Sequence, residues 1–319
     1  MTSRSNGSVP VTIGVPVYNG ERLLPRALDS LLAQTFSDFK IIISDNASTD
    51  GTAEIGLDYA RRDPRVCFVR QERNLGAALN FNYVFQQSHG RYFKWMAHDD
   101  VIDPIYLSVC VDALAADPAA VLCYTGTALI NDDGTALYFD LVRQAFIDRY
   151  GKPWYWPSRP DVETSLPDPV PRFSSVVLRN GWCLEVFGLI RSDALHRSSL
   201  IGRYYGSDKI LLAELATIGH FHADPRALFL RGCQPEQSSY LTPQQQAAWI
   251  RGSNKGITLD QAWMLLGLIK AGWRRDLTLP QRAACTGAVA RQALKAEKFK
   301  RLFLPGPNNY FGIGRRSRG

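Results

Sequence analysis

The chain has 319 residues, 45% of them hydrophobic and 21% charged, with a net charge of +7. That length suits about two domains, or one large α/β domain with appendages. The composition excludes a mainly disordered, collagen-like or disulfide-scaffold protein, and no uncharged apolar run is long enough to predict a membrane-spanning helix. Met1–Pro10 is polar and carries no apolar stretch of the secretory type. Six cysteines occur without a CxxC pair, a pattern of buried or half-buried thiols in a reducing cytosol rather than of zinc or disulfide sites.

The first 130 residues alternate strand and helix patterns. Val11–Val17 is a β-branched run ending at Tyr18-Asn19-Gly20, and Glu21–Gln34 places leucines at helical spacing. Phe39–Ile43 is a second strand, ending at Ser44-Asp45-Asn46. A helix capped at Ser48, Thr49 or Asp50 runs to Arg62. Val66–Val69, a helix over Gly76–Gln87, a strand over Arg91–Met96, a helix from Pro104 to Ala116 and a strand over Ala120–Tyr124 follow. Such alternation implies crossover connections and a mostly parallel sheet, whose ligands bind at the carboxyl ends of the strands.

Between Asn131 and Pro171 the periodicity is lost. A turn at Asp132-Asp133-Gly134 separates two short strands, and Trp154-Tyr155-Trp156 stands among prolines, which reads as an excursion or lid. A helix is expected near Arg172–Asn180, strands over Leu184–Ile190, His220–His222 and Ala227–Leu230, and a helix over Asp208–Ile218. Two long helices are expected over Pro243–Ala271 and Leu279–Phe303, before a Gly/Pro/Arg-rich tail. From Thr242 onward 14 Lys and Arg stand against three acids. This asymmetry points to a polyanionic partner, nucleic acid or an anionic membrane, or to a solvated basic face.

Polar residues collect at the predicted strand ends: Asn19, Asp45, and His98-Asp99-Asp100. Adjacent carboxylates there suit a hard divalent cation shared with phosphate oxygens, or simply precede the helix begun at Pro104. Asp45 either accepts from a ring N–H of a base or satisfies a tight turn. The first strand is followed by neither GxGxxG nor GxxxxGK[ST], so neither dinucleotide-binding nor P-loop fingerprint is present.

Four segments in order, Val15-Pro16-Val17-Tyr18-Asn19-Gly20, Ser44-Asp45-Asn46-Ala47-Ser48-Thr49-Asp50-Gly51-Thr52, Arg73-Asn74-Leu75-Gly76 with Asn80, and Lys94-Trp95-Met96-Ala97-His98-Asp99-Asp100, resemble the family 2 glycosyltransferases. A weaker match runs on through Glu185-x-x-Gly188-x-x-Arg191 and Gly206-Ser207-Asp208 to Leu228-Phe229-Leu230-Arg231.

The resemblance implies a GT-A (Rossmann-like) α/β fold, here with a helical C-terminal extension, a nucleotide-sugar donor, a divalent Mn²⁺ or Mg²⁺, and inversion at the anomeric carbon. It places Pro16, Tyr18, Asn19, Asp45, Asn74, Gly76, Lys94, His98 and Asp99 at the donor, with a UDP- or dTDP-sugar favoured. Asp100 and Asp99 would hold the metal, and Asp208 would be the general base, a role weighed against an N-cap of its helix. His98 departs from the family's more usual acidic residue. The position of a metal-ligating His in many relatives is Gln234, a weaker ligand. Glu185, Trp154 and Trp156 are candidates for the acceptor, a sugar, glycolipid or small molecule, although clustered aromatics also suit a core.

The resulting division is a flexible 1–9, a nucleotide-sugar-binding 10–130, an acceptor-binding 131–241, a helical 242–304 and a basic flexible tail 305–319. The expected location is cytoplasmic, with peripheral contact at the inner membrane face and no nucleic-acid partner, since the basic segment lacks interleaved aromatics. The helical region either packs on the catalytic part or pairs two copies. A nucleotidyltransferase and a non-catalytic binding module are the competing functions. The first normally needs a Gly-rich basic loop where Pro16-Val17-Tyr18-Asn19-Gly20 stands.

Overall fold

The computed structural model describes residues 10–155, 163–234, 241–252 and 260–295. Strands β1 (Val11–Val17), β2 (Phe39–Asp45), β3 (Val66–Arg70) and β4 (Tyr92–Trp95) alternate with helices α1 (Leu24–Leu32), α2 (Thr52–Arg62) and α3 (Ala77–Gln86). Every residue of β1 is buried, as in a strand covered on both faces. The chain continues through β5 (Val101–Ile102), α4 (Tyr106–Ala116) and β6 (Ala120–Ile130). Then come α5 (Pro169–Leu178), β10 (Leu189–Arg191), α6 (Ser192–His196), α7 (Ser207–Ile218) and β11 (His220–Gly232), with β7 to β9 between β6 and α5 described below.

Among the described residues the main sheet has eight strands in the order β3-β2-β1-β4-β10-β6-β11-β5. β1 pairs in parallel with β2 and β4, β2 with β3, and β6 with β11. β10 and β5 run antiparallel to their neighbours. The sheet is mixed and mostly parallel, as the alternation predicted. Strand alternation divides two cores. Val11, Ile13, Val15 and Val17 face α1 and α4, while Phe93 and Trp95 face α3 and α7.

The structure departs from the sequence reading in four places. Residues 131–155 are not irregular: β7 (Tyr138–Asp140), β8 (Ala145–Ile147) and β9 (Pro153–Trp154) form a second sheet, its strands too short to show periodicity. Leu184–Ile190 is not one strand but a 3₁₀ turn, Leu184–Phe187, followed by β10. The two strands expected after α7 are one, β11, which keeps pace with β6 through register shifts. The C-terminal region holds three helices, α8 (Pro243–Arg251), α9 (Asp260–Gly272) and α10 (Leu279–Ala293), where two were expected. Thr242 and Thr278 begin α8 and α10 with capping boxes, and Gly252 closes α8 at φ 72°.

These helices pack onto the α/β part: α9 on α7, α10 on α5 and α9, and α8 on α3. The α8–α3 contact is made backbone to backbone. A Cβ on Gly76 would stand 2.3 Å from Arg251 C and Gly252 N, and one on Gly252 would stand 2.6 Å from Gly76 N. Both glycines have positive φ, so both the conformation and the space require glycine.

Candidate active site

A cavity of about 1060 Å³ opens at the carboxyl ends of the parallel strands. Its first wall is the sequence-predicted set Pro16, Tyr18, Asn19, Asn74, His98, Asp99 and Asp100, with Asn46. Its second wall carries Trp182, Asp208, Lys209, Arg231 and Gln234. The C-terminal helices close it with Trp249, Ile250, Met264, Gln292 and, just past α10, Lys295. A large pocket with few convergent polar groups at strand ends is the expected form of a ligand site.

The first wall is fixed by loop-to-loop hydrogen bonds. Asn19 sits at φ 52°, which asparagine tolerates better than most residues. Its N–H donates to Ser48 Oγ (2.9 Å), and its Oδ1 accepts from Thr49 N–H (2.9 Å). Gly20 N–H donates to Thr52 Oγ1 at 2.8 Å. Asn46 Nδ2 donates to Asn74 Oδ1 (3.0 Å), and Asn46 Oδ1 accepts from Leu75 N–H (2.8 Å). Tyr18 stands 41% exposed at the mouth.

The acidic pair is held from the far edge of the sheet. Asp100 is buried, and its Oδ1 accepts from Gly232 N–H at 3.0 Å. Burial, then the charge of Asp99, pushes its pKa up to about 8, against the opposing pull of Arg231 and the Gly232 N–H. A Cβ on Gly232 would lie 2.2 Å from the Asp99 carbonyl oxygen and 2.6 Å from Gln234 Nε2. The end of β11 is therefore pressed onto the loop after β4, which gathers Asp99, Asp100 and Gln234. Among the described residues no three His, Cys, Asp or Glu side chains form a metal cluster. Two carboxylates and an amide are hard oxygen donors that fit Mg²⁺ or Mn²⁺ with substrate oxygens completing the shell.

Asp208 is the second residue of α7. It is not the N-cap; Gly206 is, at φ 86°. Asp208 is half-buried in the cavity wall, and its Oδ1 accepts from Lys209 N–H at 2.8 Å. Burial raises its carboxyl above the ordinary range. The Lys209 N–H and ammonium oppose this, and Glu185 adds to it.

Five predicted residues do not reach the cavity wall. Lys94 is fully buried: strand alternation turns it into the core between the Tyr106 and Phe229 rings, 4.6 and 5.2 Å from their centroids, where Nζ donates to the Phe187 carbonyl. This corrects its placement at the donor. Trp154 is 2% exposed in the small core of Leu129, Leu137 and Cys233. Its Nε1–H donates to Asp148 Oδ2 at 2.9 Å, so it offers no stacking face. Glu185 lies behind the wall, and its Oε2 accepts from Asn180 Nδ2 at 2.8 Å. Gly76 lies against the backbone of Arg251 and Gly252, at the α8 contact. Asp45 lies beneath the floor, where Oδ1 accepts from Ser48 N–H at 3.0 Å and Oδ2 faces Arg70 Nε at 3.5 Å. Its neighbour Asn46 takes the lining position. Trp156 lies outside the described residues.

Sequence reasoning missed Asn46, Trp182, Lys209, Arg231, Gln292 and Lys295. Asn46 and Arg231 lie within quoted motifs and Lys209 directly follows one, so all three were legible as neighbours of expected residues. Gln292 and Lys295 carried no signal, because only the packing of α10 on α5 brings them there.

A mostly parallel sheet presenting its strand ends and an acidic pair to one large cleft is the GT-A architecture of nucleotide-sugar enzymes. Residues 12–156, just under half of the chain, match the sequence profile of glycosyl transferase family 2. An uncharacterized glycosyltransferase of Rickettsia typhi is 35% identical over 130 residues, 40% of either chain. The chain thus spans well under half of that relative. Staphylococcus aureus TarS residues 1–349, solved with UDP-GlcNAc, superposes with a TM-score of 0.65 at 15% identity over 92% of this chain and 78% of that one. The mannosyltransferase PcManGT of Pyrobaculum calidifontis, solved with GDP-Man and Mn²⁺, gives 0.50 at 14% identity over 90% and 74%. Likeness at these identities shows the shared fold.

Proposed function

We propose that the chain transfers a sugar from a nucleotide diphosphate, a UDP- or dTDP-sugar favoured, to an acceptor hydroxyl with inversion. The observation that carries this reading is that Asp99, Asp100 and Asp208, from distant parts of the sequence, line one cavity. Pro16, Tyr18, Asn19, Asn74 and His98 hold the donor.

Asp208 takes the acceptor proton on Oδ2, since Oδ1 is engaged by Lys209 N–H. The freed oxygen attacks the anomeric carbon as the bond to the diphosphate oxygen breaks on the opposite face, which inverts the centre. Burial of the carboxyl raises its basicity, which favours proton abstraction. A divalent metal held by Asp100 and Asp99, with Gln234, would supply charge neutralisation for the departing diphosphate.

The test is thermal stability with UDP-, dTDP- and GDP-sugars, each with and without Mn²⁺. A hundredfold excess of a bound donor over Kd stabilises the native state by about 2.7 kcal/mol. A metal-dependent shift for one nucleotide supports the reading and names the base; no shift with any of them refutes it. Pyrophosphate release from a nucleoside triphosphate would support a nucleotidyltransferase instead.

A peripheral membrane contact is also proposed. Trp263, Leu266, Lys270 and Trp273 form one exposed stripe along and just beyond α9, both indoles 52% exposed, in a strongly basic region. Exposed indoles beside cations suit an anionic lipid interface. Among the described residues no helix is long and apolar enough to cross a membrane. Flotation with phosphatidylglycerol vesicles but not phosphatidylcholine vesicles is expected, and Trp263→Ser with Trp273→Ser should abolish it. Light scattering on the same sample checks for a homodimer.

A further inference from the structure

We infer that the acceptor half of the cavity is built for a polyhydroxy anion, a compound whose phosphate or carboxylate group is held by Lys209 and Lys295 while Gln292 pairs one of its hydroxyls. This rests on the transferase reading of the same cavity and adds the chemical class of the acceptor. All three residues lie beyond the segment matched to the family.

Gln292, on α10, is 5% exposed and lines the cavity, and its Oε1 has no hydrogen-bond partner. An unpaired buried acceptor is costly, and a hydroxyl donor from a bound molecule satisfies it. Lys209, on α7, is 8% exposed and sits beside the candidate base. Burial is the largest cause that lowers its pKa, and the positive charge of Lys295 lowers it further; Cys183, Asp208 and Glu185 oppose this. Of the two acids, Glu185 stands behind the wall on Asn180, and Asp208 has one oxygen engaged. Lys295 is exposed at the rim, and its Nζ donates to the Leu178 carbonyl at 2.9 Å, which leaves two of its protons for a ligand. Arg179, also in this wall, is 3.4 Å from Glu163.

Two ammonium groups therefore share a wall with a single lining carboxylate, Asp208. An oxyanion between them removes their repulsion and the desolvation cost of Lys209 together. That oxyanion is not the donor diphosphate. In a single displacement the base and the leaving group stand on opposite faces of the sugar, and these cations stand with the base. Trp182 and Trp249 add apolar faces suited to the carbon skeleton of a polyol or sugar.

The test is calorimetric binding of glucose 6-phosphate, glucuronate and glucose to the full chain with UDP and Mn²⁺ present. The phosphate or the carboxylate probe is expected to bind at least about tenfold more tightly than glucose, as a charge-assisted contact should; which of the two does so identifies the group. Lys295→Gln and Lys209→Met are each expected to remove about that factor, and Gln292→Leu to weaken all three sugars together. Lys295 is exposed, so its variant keeps the test sound if Lys209→Met fails to fold. Equal binding of glucose and the anions, no binding of any probe, or unchanged anion binding in Lys295→Gln would overturn the inference. UDP binding in the same samples separates the two readings. Loss of anion selectivity with UDP still bound refutes this inference alone, whereas anion binding without UDP binding refutes the transferase reading and leaves the anion subsite.

Discussion

Replacing Gly76 by alanine tests whether the C-terminal helices are part of the site. Gly76 has φ 83°, and a Cβ there would stand 2.3 Å from the backbone of Arg251 and Gly252 and 2.7 Å from the Ile250 carbonyl oxygen. With ψ at 159°, Gly76 occupies a region essentially confined to glycine, where another residue costs about 1–3 kcal/mol. Overpacking against atoms that cannot rotate away costs roughly 1–3 kcal/mol more. The sum, about 2–6 kcal/mol, should lower the melting temperature by at least about 4 °C at ~2–4 °C per kcal/mol. The strain falls where α8 carries Trp249 and Ile250 into the cavity, so binding by the cavity should weaken as well. Gly287→Ala is the control. It lies on the exposed side of α10 with nothing within 4 Å of a new Cβ, and should stabilise the helix by up to about 1 kcal/mol. Differential scanning calorimetry of both variants decides the matter. A Gly76→Ala melting temperature equal to the parent's would refute the backbone contact and the helical wall built on it.

Asp208→Asn should lower transfer about 10²–10⁴-fold with donor affinity kept. Because burial raises the Asp208 carboxyl, the acid limb of the wild-type rate profile should lie above the ordinary carboxylate range; a flat profile would remove Asp208 from the base role. Asp100→Ala should abolish the Mn²⁺-dependent part of donor stabilisation in the melting assay, and an undiminished metal effect would place the metal elsewhere. Lys94→Met tests the correction made above. Burial lowers the Lys94 pKa from 10.5 to about 8, so the folded state binds fewer protons than the unfolded state between those values. Wild-type stability should therefore gain a contribution as pH rises from 8 to 10.5, and the variant should lack it. Urea midpoints at pH 7.5 and 10 read this difference; donor binding lost in the variant would restore Lys94 to the site.

The sheet's first half was legible because its signals are local. β-branched runs, leucines at helical spacing and turn residues such as Asp50, whose Oδ1 accepts from Thr52 N–H ahead of the Gly51 N-cap of α2, act within a few positions of themselves, and alternation then demands a parallel sheet. Strand ends of such a sheet converge, so the sequence alone assigns Asn19, Asp99 and Asp100 to one place. The failures share a different cause. Lys94 has the sequence position of a site residue but the pleat phase of a core residue, and one step along a strand reverses the face. Trp154 reads in sequence as part of a lid and an acceptor candidate because β7–β9 are too short to show a period.

Sequence by itself determined the α/β order, the family segment and the acidic pair, all through patterns read within short windows. Only the tertiary structure decided that the end of β11 at Gly232 closes on the Asp99 backbone, that α8 docks on Gly76 backbone to backbone, and that α10 and the residues just past it bring Gln292 and Lys295 to the cavity. Those contacts join residues far apart in the chain, and their geometry depends on how close two backbones can approach, a quantity that packing fixes and no local pattern encodes.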